Sequence, residues 1–319
     1  MSGDVTGGSF PLAGDLTVTR MGFGAMQLVG PEVWGPPRDR GAAIRVLRTV
    51  AELGLTHIDT SCYYGPNTVN DVIREALHPY PDDLHIVTNV GFRRNADRAW
   101  LPALSPEELT AAVHANLEQL GLEALDVVNL RVGSAAVGSA PGSIAGPFGV
   151  LAGLQSQGLI RYLGLSNVTA DQVAEAQAIG RIVCVQNRYN LAHRRDDPLL
   201  DRCAELGIAF VPFHPLGGFS PLQASGLSDV AARLDTSPHQ VALAWLLHRS
   251  PNILLIPGTS AERHLRDNAA AATLILPADA RRRPQRRRRL RTAAALRFLY
   301  GPSCLLRAGA RHPGTWLKR

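Results

Sequence analysis

The feature that most constrains this chain is a repeated alternation of short β-type runs with helix-length segments. Eight runs, MGFGAM, THIDTS, LHIVTNV, LDVVNLRV, RYLGLSN, IVCVQN, IAFVPF and NILLIPG, follow one another between Met21 and Gly258. Each leads into a helix-like stretch, directly or after an irregular loop. IRVLRTVAELG carries Ile44, Leu47, Val50 and Ala51 at helical spacing and stops at Gly54. SPEELTAAVHANLEQLG opens with Ser105 as N-cap, Pro106 in the first turn and Glu108 at the capping-box position, and stops at Gly121. DQVAEAQAIG and SPHQVALAWLLHRS repeat that logic. Eight such units over about 250 residues predict an α/β fold of the (β/α)8 TIM-barrel type rather than a doubly wound sheet. No GxGxxG follows an early strand, so a nucleotide would have to bind by a route other than the Rossmann turn.

Two segments leave the alternation. VGSAAVGSAPGSIAGPF, Val132 to Phe148, is rich in Gly, Ser, Ala and Pro and reads as a mobile loop at the end of the fourth strand. Beyond Pro277 the pattern stops, which divides the chain into a barrel, 1–277, and an arginine-rich tail, 278–319, expected to be poorly ordered. From Ala278 onward twelve Arg and one Lys face one Asp, a surplus of +12, so a whole-chain charge of +6 leaves −6 on the first 277 residues. The basic balance belongs to the tail. It could attract nucleic acid or an anionic membrane, but nothing in the mildly acidic body supports either partner. Arg, Ala, Gly and Pro, the residues of GC-rich codons, dominate there, and the segment reads as a shifted reading frame more than a genuine extension.

No apolar run reaches the roughly 18 residues of a membrane helix, and the N-terminus lacks the basic start and apolar core of a secretory signal. Cys62, Cys184, Cys203 and Cys304 lie far apart with no CxxC, and so read as free thiols. The expectation is a cytoplasmic protein, a monomer or weak oligomer, with no metal.

In a barrel, catalytic side chains come from the C-terminal ends of the strands. Those ends offer Asp59 with Tyr64 behind it, Asn89, Arg131, Ser166 and Asn167, Gln186, Phe213 and His214, and Gly258 to Ser260. One carboxylate, one phenol, one guanidinium and several amides thus converge on one mouth. There is no GxSxG nucleophile and no cluster of metal ligands.

The motifs DTSCYYG, GLSN, VQNRYN, FHPLGG and IPGTS followed by HLRDN occur in this order on the predicted strands. With them the chain resembles the aldo/keto reductase family from about Thr17 to Pro277. QLVGPEVWGPPRDR, REALHPYPDDL and LDVVNLRV are similar to the bacterial branch that includes pyridoxal reductase. The resemblance implies an oxidoreductase that binds extended NADPH across the barrel mouth and passes hydride to a small carbonyl substrate, pyridoxal being the first candidate. It implies Tyr64 as the general acid and Asp59 in the same network, holding a cation beside it. It implies Ser166, Asn167 and Gln186 at the nicotinamide carboxamide, and Phe213 as the stacking aromatic. Leu216 and Gly217 match the pyrophosphate contacts, and Gly258, Thr259, Ser260, His264, Arg266 and Asn268 match the adenosine and 2′-phosphate end.

One departure is serious. The family's TKxG motif reads TNVG here, so Asn89 stands where the resemblance places the catalytic lysine, and Arg131 stands at the usual histidine. A lysine ammonium lowers the pKa of the tyrosine from about 10 and makes proton transfer feasible near neutrality. Arg131 can supply positive field but, with a pKa above about 12, no proton. The expectation is a reductase with weakened turnover, the alternative a non-catalytic NADPH-binding homologue.

Overall fold

A computed structural model describes residues 7–133, 138–217 and 226–281 of the chain. A hairpin comes first, β1 (Ser9–Ala13) paired antiparallel with β2 (Leu16–Thr19). Then β3 (Phe23–Gly24), β4 (His57–Thr60), β5 (His85–Val90), β8 (Leu125–Arg131), β9 (Ile160–Ser166), β10 (Ile182–Gln186) and β11 (Ala209–Phe210) lie side by side in that order in one parallel sheet. The helices between them are α1 (Arg40–Glu52), α2 (Val69–Leu77), α3 (Pro106–Leu120), α4 (Ala145–Ser156), α5 (Ala170–Ile179) and α6 (Asp197–Glu205). The helices α7 (Leu227–Arg233), α8 (Pro238–Arg249) and α9 (Glu262–Ala270) follow. The caps expected from sequence at Ser105 and Ser237 are present, each completing a capping box, and Gly121 ends α3 at φ 68°; Thr169, two residues before the expected stretch, completes a third box that opens α5.

The eighth run, NILLIPG, closes the sheet through two isolated parallel bridges, Ile253 to Phe210 and Leu255 to Met21, instead of a ladder. Four backbone hydrogen bonds carry the closure. Phe210 N–H donates to the Asn252 carbonyl at 2.8 Å and Leu254 N–H to that of Phe210 at 3.0 Å; Gly22 N–H donates to Leu255 and Leu255 N–H to Arg20, both at 2.8 Å. The stagger of a closed barrel leaves only a few residues of this run in register with either neighbour.

The barrel interior is filled by alternate strand residues. Val87, Val127, Cys184, Ala209, Val211, Leu254 and Ile256 form one buried cluster with Leu12, Leu16 and Val18, so the β1–β2 hairpin plugs the end opposite the catalytic mouth. Glycines make the closure possible. A Cβ on Gly24 would lie 2.6 Å from the Ile256 carbonyl oxygen, and one on Gly258 2.6 Å from the Gly24 carbonyl oxygen. A second, larger cluster between sheet and helices includes Phe23, Phe148, Tyr189 and Phe210.

Two expectations need correction. The segment Val132 to Phe148 is not a loop throughout: α4 starts at Ala145, and Phe148 is fully buried. Gly and Ala gave it the look of a linker, but Ile144 and Phe148 supply the apolar anchors, and Glu175 accepts from the Ile144 N–H at 2.7 Å. Ser134 to Val137, within that segment, lie outside the described residues. An antiparallel hairpin, β6 (Phe92–Arg94) with β7 (Trp100–Pro102), was not anticipated and follows β5 directly. At the tail, α10 (Ala278–Arg281) continues the fold past Pro277, with Asp279 paired to Arg233 at 2.8 Å. The expectation of disorder from residue 282 onward falls outside the described residues.

A buried amide network holds the strands that carry Asp59 and Asn89. Thr60 Oγ1 donates to Asn70 Oδ1 at 2.8 Å, while Asn70 Nδ2 and Thr88 Oγ1 both donate to Asn116 Oδ1, at 2.9 and 2.7 Å. It ties β4, α2, α3 and β5 together. Gly24→Ala should cost about 1–3 kcal/mol, because the new methyl meets backbone that cannot yield without opening the barrel. Urea unfolding checks this: a lower midpoint is expected, and an unchanged one would show that the closure is compliant.

Candidate active site

Asp59, next to last in β4, faces the barrel interior, 5% exposed, and its carboxylate is held by two neutral amides. Gln186 Nε2, across the barrel on β10, donates to Asp59 Oδ2 at 2.7 Å, and Asn89 Nδ2 donates to the same oxygen at 3.1 Å. Asn89 also donates to the Thr60 carbonyl at 3.2 Å, while its own Oδ1 is buried without a partner. No hydrogen bond joins Asn89 to Tyr64. Around the rim, Arg131 donates to Ser166 Oγ at 2.8 Å, and Ser166 donates on to Gln186 Oε1 at 3.2 Å. The Arg131 guanidinium lies 4.7 Å from the centre of the Phe213 ring. One polar chain therefore runs Arg131–Ser166–Gln186–Asp59–Asn89. Among the described residues Asp59 makes no ion pair: Asn89 is neutral, and Arg131, whose charge still acts on Asp59, is held by Ser166 and Phe213.

The electrostatics follow from burial. Desolvation pushes the Asp59 carboxyl up to about 7, and the amides of Gln186 and Asn89, with the field of Arg131, offset only part of that. Tyr64 is raised well above 10, first by burial, then by Tyr63 and Asp59, with Arg131 alone acting to lower it. Its phenol therefore stays protonated through neutral pH. Beneath Asp59 sits a cavity of about 20 Å³, lined by His57, Val87, Cys184, Gln186 and Ile256 among others, room for about one water. His57 is buried with neither ring nitrogen hydrogen-bonded among the described residues, and burial pulls it down to about 4, so it is neutral there.

An aromatic wall flanks the Tyr64 side. Tyr63 stands edge-on to Tyr64, Trp100 and Phe92 at 5.2, 5.6 and 6.4 Å between ring centres. Arg94 lies 4.1 Å from the Trp100 ring centre and 5.3 Å from that of Trp34, and donates to the carbonyls of Val33 and Glu32 at 3.0 and 3.2 Å. It thereby bolts the first-strand loop to the β6–β7 hairpin.

The residues matched to a cofactor divide into two groups. Ser166, Asn167, Gln186 and Phe213 meet on one rim; Asn167 sits at φ 62° and donates to the Val132 carbonyl at 2.9 Å. Leu216 and Gly217, the latter at φ 95°, follow Phe213 on the same side. Gly258, Thr259 and Ser260 lead into α9, which carries His264, Arg266 and Asn268. Asn268 and Thr259 are buried, Ser260 and His264 exposed, and Arg266 makes an exposed ion pair with Glu52 at 3.5 Å. Hydroxyl and amides beside an aromatic face suit a flat carboxamide, and the exposed Arg266 guanidinium suits an anion, so the residues present fit a nicotinamide dinucleotide. Among the described residues no group of three or more His, Cys, Asp or Glu is placed to hold a metal, and no helix is long and apolar enough to cross a membrane.

The profile of the aldo/keto reductase family matches residues 20–283. The chain is 62% identical to pyridoxine 4-dehydrogenase of Escherichia coli (strain K12) over 264 residues, 82% of this chain and 92% of that relative. It belongs to the aldo/keto reductase family. An uncharacterized oxidoreductase of Schizosaccharomyces pombe is 38% identical, over 83% of this chain and 85% of its own. A thermostable aldo-keto reductase solved with the inhibitor epalrestat superposes with a TM-score of 0.71 at 26% identity, covering 84% of this chain and 94% of that one.

Within this aldo/keto reductase, the bond from Gln186 to Asp59 and the Arg94 bolt had no signal in the sequence, since both depend on residues far apart in the chain. One signal was available and went unread: Lys318 is the sole lysine, so no ammonium anywhere in the barrel can stand in for the one missing at position 89.

A raised carboxyl makes stability fall with pH. Between about 4 and about 7 the unfolded Asp59 gives up its proton before the folded one does, so the folded state weakens over that window. Asp59→Asn removes the penalty. The variant should gain on the order of a few kcal/mol over the native chain at about pH 8 and little at about pH 4. Urea midpoints at the two pH values measure this, and an equal gain at both would refute the buried-carboxyl account.

Proposed function

We propose that this protein is an NADPH-dependent reductase of small aldehydes or ketones, with turnover weakened by Asn89. The observation that carries the reading is the placing of Tyr64 and Asp59 at one barrel mouth beside the Ser166–Gln186–Phe213 rim. NADPH, when bound, supplies the hydride. Ser166, Asn167 and Gln186 would hold its carboxamide, Phe213 its ring face, Leu216 and Gly217 its pyrophosphate, and the Gly258–Asn268 segment its adenosine end. Family membership and the chemistry of these side chains support that assignment.

Tyr64, kept protonated, donates its proton to the carbonyl oxygen as negative charge builds there. Arg131 stabilises the resulting phenolate through space without exchanging a proton itself. The same raised tyrosine opposes alcohol oxidation, which needs the phenolate as base, so oxidation should climb with pH into the alkaline range. Pyridoxal is the first substrate to try, because the Escherichia coli relative is named for the corresponding alcohol.

Asn89 favours a second reading, a protein that binds NADPH without turning it over, since it leaves no group of lysine type within reach of Tyr64 among the described residues. Loss of NADPH absorbance with a panel of small aldehydes, pyridoxal included, separates the two. Asn89→Lys should raise turnover by roughly two to three orders of magnitude, the usual worth of one preorganised charged donor, and Tyr64→Phe should abolish it in either background. NADPH binding with no turnover in the native chain and none in the lysine variant would remove the enzyme reading.

A further inference from the structure

The inward row of β10 does not end at Gln186. Two residues on, Arg188 pairs with Phe213 in a parallel bridge, and the Phe213 N–H donates to the Asn187 carbonyl at 3.0 Å, so the strand register continues through it. Its neighbours face the helices. Asn187 Nδ2 donates to Asp196 at 2.8 Å, and the Tyr189 hydroxyl donates to Asp197 at 2.6 Å, both at the start of α6. Alternation then turns Arg188 toward the mouth, one level above Gln186 and next to Phe213.

Arg188 makes no hydrogen bond or ion pair with any described residue, and its Nε is fully buried without a partner. The other arginines of intermediate exposure, Arg20, Arg94, Arg131, Arg194 and Arg249, each have such a partner. An unsatisfied buried guanidinium nitrogen is costly, and a site that keeps one is short of an anion. The carboxylates around it are engaged elsewhere: Asp59 by Gln186 and Asn89, Asp196 by Asn187. Positive field does build up there. His214, beside Phe213, is held down to about 4 by burial and by the charges of Arg188 and Arg131.

We propose that Arg188, together with Arg131, forms an anion-binding subsite at the barrel mouth, and that the preferred carbonyl substrate carries an oxyanion group, carboxylate or phosphate, bound there. The inference deepens the reductase reading and rests on it. A guanidinium presents its donors in a planar fork that matches such groups two at a time. Phe213, under the Arg131 guanidinium and bridged to Arg188 through the backbone, offers an apolar face to the substrate's carbon skeleton.

The test is calorimetric titration of the full-length protein with matched aldehydes, para-carboxybenzaldehyde against benzaldehyde and pyridoxal phosphate against pyridoxal, with and without saturating NADP+. NADP+ has no hydride to give, so binding alone is read. With no lysine before Lys318, the barrel side chains form no competing Schiff base. Each anionic probe should bind at least about tenfold more tightly than its neutral partner, the worth of one charge-assisted hydrogen bond. Arg188→Met should erase that ratio while leaving the neutral aldehydes and NADP+ unaffected, and Arg188→Lys should restore part of it. A phosphate preference without a carboxylate preference narrows the oxyanion class and upholds the subsite. An equal ratio in native and Met proteins overturns it, as does a ratio that vanishes once NADP+ is present, which would give Arg188 to the cofactor. If NADP+ does not bind at all, the cofactor reading fails, and the ratio in the cofactor-free protein still decides this one.

Discussion

Closure of the parallel sheet between Met21–Gly24 and the Asn252–Ile256 run is the constraint on which the other distances depend. It is made by a few backbone hydrogen bonds and by glycines that let backbone approach backbone. Once closed, the sheet brings β4 opposite β10, and Gln186 can reach Asp59 across the interior. An open sheet of the same strands would leave these residues on distant edges. The hydrophobic plug of Leu12, Leu16 and Val18 at one end and the polar ring at the other divide the interior into a floor that stabilises and a mouth that can do chemistry.

The polar ring is built without an ammonium. Its negative group is solvated by amides and its cations are arginines, which stay charged at any working pH and exchange no proton. Asp59 and Tyr64 are therefore shifted toward their protonated forms, a consequence of burial that one further cation would have opposed. On the proposed reductase reading, such a mouth keeps a proton ready for a carbonyl oxygen and is poorly equipped to take one back. In the proposed subsite, the arginines discriminate by charge among the molecules that enter.

Much of the fold was legible because its signals are local. The capping boxes at Ser105 and Ser237, the stop at Gly121 and the β-branched runs each act within a few residues. The misreadings had local causes too. Gly and Ala disguised the start of α4, which is fixed by Phe148 packing into the core, and LHIVTNV ran on unannounced into the β6–β7 hairpin. The candidate residues were legible as strand ends, but their partners were not. Asn89 was read as a missing lysine, and only the folded chain shows it donating to Asp59 and Thr60 and leaving Oδ1 unmet.

By itself the sequence determined the alternation, the helix ends, the side chains offered at the strand ends and the absence of lysine before Lys318, because periodicity, capping and composition are properties of neighbouring residues. The tertiary structure decided which of those side chains touch. It joined Gln186 to Asp59, stacked Arg131 on Phe213, set Arg94 between two tryptophans and left the Arg188 Nε without a partner among the described residues. Those outcomes depend on the stagger with which the barrel closes and on the low dielectric inside it, and neither exists until the chain has folded.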